Sequence, residues 1–102
     1  MELNKMRPVH PGEILRQDYL VPLGMSANRL AIALRVPVTR ISKILNQERA
    51  VTPDTALRLA RYFGGDAQTW LNLQAAYDLK TLVQKHGQEI EQTIRPMDKA
   101  AI

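Results

Sequence analysis

SANRLAIALRVPVTRISKILN, Ser26 to Asn46, is the stretch on which the fold turns. Ser26 offers a hydroxyl to the free N–H groups of a first helical turn, and Leu30, Ala31 and Leu34 follow at helical spacing. Arg35-Val36-Pro37 then ends that helix. Pro37 has no N–H and drives Val36 out of the α region, yet its fixed φ suits the first position of a new helix. In the helix that follows, Ile41, Ile44 and Leu45 form an inner stripe, which leaves Val38, Thr39, Arg40, Ser42, Lys43 and Asn46 outward or end-on. Two short helices across a three-residue break make a helix-turn-helix.

In such a motif the second helix lies in the major groove with its N-terminal residues at the base edges, while the first crosses the backbone. The outward residues have the chemistry for it. Arg40 and Lys43 can donate to guanine O6 and N7, Thr39 can donate or accept, and the methyls of Val38 and Thr39 can pack on a thymine methyl. Ser26 and Asn28 flank a helix N-terminus whose N–H groups and dipole favour a phosphate, and Asn46 and Arg49 are expected to meet the next ones. A helical hairpin with a merely solvated basic face is the competing reading.

Charge placement favours DNA. Residues 1–50 hold eight basic side chains against four acidic ones, whereas residues 51–102 hold six of each, so the whole net charge of +4 lies in the half with the motif. The excess is modest. One chain is expected to bind weakly, and a dimer would double the phosphate contacts.

With 102 residues the chain is read as one domain, 1–102, able to bury about two thirds of its unfolded surface. Its cysteine count of zero removes disulfides and thiolate metal sites. No apolar run resembles a signal peptide or a membrane span, so a soluble, cytoplasmic protein with no membrane partner is expected. His10 and His86 are the groups that titrate near neutrality, and neither has a nucleophile, phosphate loop or metal-ligand spacing beside it. No enzyme activity, metal, cofactor or small-molecule substrate is expected.

The remainder reads as helices without strand-like alternation, giving an all-α fold of five helices. Pro11 opens a first helix through GEILRQDYL, with Ile14, Leu15, Asp18 and Tyr19 on its inner face and Pro22 to Gly24 as its break. Thr52, Pro53 and Asp54 start a fourth helix, which Gly64 and Gly65 close. Its buried side is read as Ala56, Leu57, Leu59, Ala60 and Phe63. Asp66 caps a long fifth helix carrying Trp70, Leu71, Leu73, Tyr77, Leu79, Leu82 and Val83 as far as about Lys85. Trp70, Tyr77, Leu79 and Val83 exceed what so small a core must cover, and they are the candidate dimer interface. The core is thus read as 8–85, the DNA-binding motif as 26–46, and 86–102, with its Gly87 and Pro96, as a frayed or flexible tail.

PVHPGEIL, ALRVPVTRISKILNQ and above all RAVTPDTALRLARYFGGDAQTWLNLQAAYDL resemble the HigA antitoxins, the VapI-like branch of the phage-repressor-like, XRE-like helix-turn-helix proteins. The resemblance runs from about Pro8 to Leu79. It implies a two-gene toxin-antitoxin module in a bacterium, in which a dimeric protein binds an mRNA-cleaving, HigB-like toxin and represses its own operon. Two departures stand out: Arg35 occupies a usual glycine position, and Gln47 and Glu48 replace a glycine and a basic residue. The alternative is a stand-alone repressor without a toxin partner. For a toxin, the segment before Pro11, the exposed sides of the first and fourth helices and the tail after His86 remain equal candidates.

Overall fold

A computed structural model describes residues 7–98, and within them the chain is helical without strands. The first helix, α1 (11–23), is not uniform: α-turns at Pro11–Ile14 and Val21–Leu23 flank a π-helical stretch, Leu15–Leu20. Pro22 accounts for the wide turn. It has no N–H to give the Asp18 carbonyl and its ring would press on that carbonyl, so the preceding turn opens and the Val21 N–H bonds to the Arg16 carbonyl. The other helices are α2 (Ala27–Leu34), α3 (Val38–Leu45), α4 (Pro53–Phe63) and α5 (Ala67–Thr93).

Starts and stops follow the side chains. Ser26 Oγ accepts from the Arg29 N–H, Thr52 Oγ1 from Thr55 and Asp66 Oδ1 from Thr69, each three residues on. Pro37 differs slightly from expectation, standing just before α3 with extended ψ rather than inside it. The ends of α1, α2 and α3 share one device. Gly24, Arg35 and Gln47 each turn left-handed, with the pairs Gly24 N–H to Val21 C=O and Met25 N–H to Leu20 C=O repeated at 35–36 and 47–48.

The core forms where these helices meet. Leu15, Leu30, Ile41, Ile44 and Leu59 are fully buried, and Leu20, Ala31, Leu34, Leu45, Val51, Ala56 and Trp70 complete the cluster. Two expectations are corrected. Leu57 points to solvent at 64% exposure, its place on the inner side of α4 being taken by Thr55. Trp70 is 5% exposed and packs with Tyr19, so it belongs to the protomer core and is not surface for a second chain.

The expected tail also differs, because α5 runs on to Thr93. A helical glycine costs only about 1 kcal/mol, so Gly87 does not stop it. Pro96 sets the limit, since the residue before a proline is pushed out of the α region. Residues 99–102 of that tail lie outside the described residues. Beyond Tyr77 the long helix contributes no residue to the core cluster among the described residues.

Candidate nucleic-acid interface

α3 presents its outward face as the inner stripe requires. Ile41, Ile44 and Leu45 are buried, and on the opposite side Thr39, Lys43 and Asn46 are exposed. Val38 and half-buried Ser42 flank this face on one edge, and Arg40 flanks it on the other. The motif is anchored from below. Gly12 sits so close to the carbonyl of Ile44 that a Cβ there would overlap it, which lets α1 butt directly against the last turn of α3.

Ser26 and Asn46 come together in a groove of about 520 Å³ between α1, α2 and α3, also lined by Arg16, Met25 and Ser42. The groove holds the open N-terminus of α2, where backbone N–H groups and the dipole attract an anion. Arg16, exposed on α1, is a cation at this site that sequence reasoning missed. Its place is set by packing between elements, for which no local signal exists. Asn28, Arg35 and Arg49 are exposed, as a backbone contact requires. The segment before Pro11 lies mostly outside the described residues.

Arg40, read from sequence as a donor to guanine, also has a partner within the fold: it is half-buried and its Nη1 lies 2.5 Å from Asp54 Oδ2. Arg58 Nε reaches the same oxygen at 3.0 Å, and Arg58 Nη1 donates to the Leu34 carbonyl at 2.8 Å. The two guanidiniums, Arg40 first, hold the Asp54 carboxyl below its ordinary range. Asp66 is lowered likewise, by the Thr69 N–H and hydroxyl that it caps.

The loop after α3 is tied down from two sides. Gln74 is buried in α5; its Oε1 accepts from the Val51 N–H at 2.8 Å and its Nε2 donates to Asp78 at 2.9 Å. His10 caps α1 through Nδ1, accepting from Gly12 at 2.9 Å, packs edge-on against Tyr77 and makes a backbone hydrogen bond to Arg49. Neither role was foreseen. Gln74 is the final residue of the WLNLQ stretch on which the family resemblance rests, and His10 immediately precedes the helix-opening Pro11.

This arrangement defines a helix-turn-helix protein, and the family profile of that name matches residues 15–70. Virulence-associated protein I of Dichelobacter nodosus is 62% identical over 77 residues, 76% of this chain and 71% of that protein. An addiction module antidote protein of the HigA family from Coxiella burnetii superposes with TM-score 0.85 at 50% identity, over 90% of this chain and all (100%) of that one. Pseudomonas aeruginosa HigA, solved with the higBA promoter, gives 0.87 at 42% identity, with 90% and 100% covered. The chain belongs to the HigA family of helix-turn-helix proteins.

Proposed function

We propose that this protein is a DNA-binding antitoxin that represses its own operon and neutralises a HigB-like toxin in the bacterial cytoplasm, acting as a homodimer. The observation that carries the DNA reading is the free polar face of α3, Thr39, Lys43 and Asn46, on a backbone shared with a HigA solved on its promoter. Thr39 and Lys43, with Val38 and Ser42, supply base contacts. Ser26, Asn28, Arg35, Asn46 and Arg49, joined by Arg16, supply the backbone clamp. Pro37 sets the turn that aims α3. For the dimer, the part of α5 beyond the core carries Leu79 and Leu82 about half exposed, with Val83 and Ile90 half-buried further along it. Tyr77 is occupied by His10 and contributes at most its outer edge.

The test is binding to a labelled fragment from just upstream of the gene against a scrambled fragment, over a salt series. Lys43→Ala should cost about 1–3 kcal/mol on the upstream fragment and little on the scrambled one. Equal binding to both fragments would reduce the basic face to a solvated surface. The antitoxin half is read separately. A product of an adjacent small reading frame should co-purify with this chain and lose its mRNA cleavage, and the lack of such a frame would leave a stand-alone repressor.

A further inference from the structure

The Arg40–Asp54–Arg58 chain places an acid within a surface whose other polar residues suit an anionic duplex. Building on the operator-binding reading, we infer that Asp54 is a positioning residue for sequence readout: it aims the Arg40 guanidinium at the base edges and keeps it from the phosphates. Arg40 is the third residue of α3, on the flank of the outward face. Its bond to Asp54 engages Nη1 and leaves Nε and Nη2 for another acceptor. Asp54 is itself held from behind, because Arg58 grips the same carboxylate oxygen and is anchored on the Leu34 carbonyl at the end of α2. Both helices of the motif are thereby tied to α4, and the guanidinium is held by a chain of groups that runs through α4 to the end of α2.

The physical consequence is an exchange of affinity for discrimination. A free arginine beside DNA takes the nearest phosphate, a contact that carries no sequence information. A tethered one keeps its planar fork but loses its reach, which suits a directional contact to a base edge. The acid also repels the duplex, so it weakens binding to any sequence. An aspartate in the first turn of α4 is favoured by the helix dipole in its own right, so the fold does not depend on its pairing with Arg40.

Binding of wild type, Asp54→Asn, Arg40→Ala and the double variant to the upstream and scrambled fragments, over a salt series, tests this. The expected result for Asp54→Asn is about a tenfold loss of discrimination, tighter binding to the scrambled fragment, and a salt slope steeper by about one as Arg40 finds a phosphate. Arg40→Ala should lose the same discrimination without the steeper slope, and the double variant should match it. Thermal melts run alongside separate a folding defect, which would not steepen a salt slope. Discrimination and slope at wild-type values in Asp54→Asn overturn the inference, as does a further loss when Asp54→Asn is added to Arg40→Ala. A wild-type protein that does not discriminate overturns the operator reading itself, and this inference with it.

Discussion

At His10 one imidazole joins the start of α1, the loop after α3 and the ring of Tyr77. Its Nδ1 must be unprotonated to accept from Gly12, and burial pushes its pKa below the ordinary 6.5, more strongly than Asp78 and Arg49 raise it. The unfolded chain therefore binds the proton more readily. Stability is complete above pH 6.5 and falls as pH drops from there towards the folded value. Asp54 and Asp66 do not confuse this window, because lowered carboxylates withdraw their contribution only below about 3.8. Urea midpoints for wild type should fall between pH 7.5 and 5.5, and those of His10→Asn, whose amide oxygen can still cap Gly12, should stay flatter. Parallel profiles would assign the effect to another group. Little of this was legible in sequence, because the partners of His10 and Gln74 come from distant elements. The inner and outer faces of α3 were legible, since Ile41, Ile44 and Leu45 fix the helix orientation by spacing alone.

Element boundaries were written in local chemistry, and local chemistry read them. Ser26, Thr52 and Asp66 cap the helices that their positions announce, and Gly24 and Gly64 end theirs with positive φ. The readings that failed involved competition between elements or tolerance within one. Leu57 was placed inward by spacing, but Thr55 and Ala56 take the buried side of α4, and Gly87 was too weak a breaker for a helix already long. Arg35 and Gln47 complete the same left-handed caps as Gly24, at a cost on the order of 1 kcal/mol for each Cβ. Gln47→Gly should therefore stabilise the protein by about 0.5 kcal/mol, once the greater freedom of glycine in the unfolded chain is subtracted. In a domain of this size that raises Tm by about 2–4 °C in a calorimetric scan. An unchanged or lower Tm would mean that the Gln47 side chain contributes something its backbone does not reveal.

The described residues measure 57 × 25 × 21 Å, and the long dimension reflects α5, whose 27 residues span about 40 Å. Its second half is difficult to account for in a lone protomer. A helical segment of this length without a core is marginal in water, and Gly87 weakens it further. Yet Leu79, Leu82 and Val83, then Ile90, recur along it at helical spacing. Asp78 apart, the charges run Lys80 and Lys85 first, Glu89 and Glu91 later, so two copies laid antiparallel around Gly87 would set Lys85 of each near Glu89 of the other. A second copy is thus the occupant that the pattern suits, and it would bring two α3 helices to one duplex, supplying the phosphate contacts that a net charge of +4 supplies poorly. Leu79→Glu with Val83→Glu should give a monomer by sedimentation at micromolar concentration that still folds and melts cooperatively, because neither residue belongs to the core. Operator affinity should then fall by about a hundredfold, as the second half-site contact ceases to be intramolecular. A variant that stays dimeric would move the interface elsewhere, and exposed Leu57 and Tyr62 on α4 are the next apolar surface to substitute.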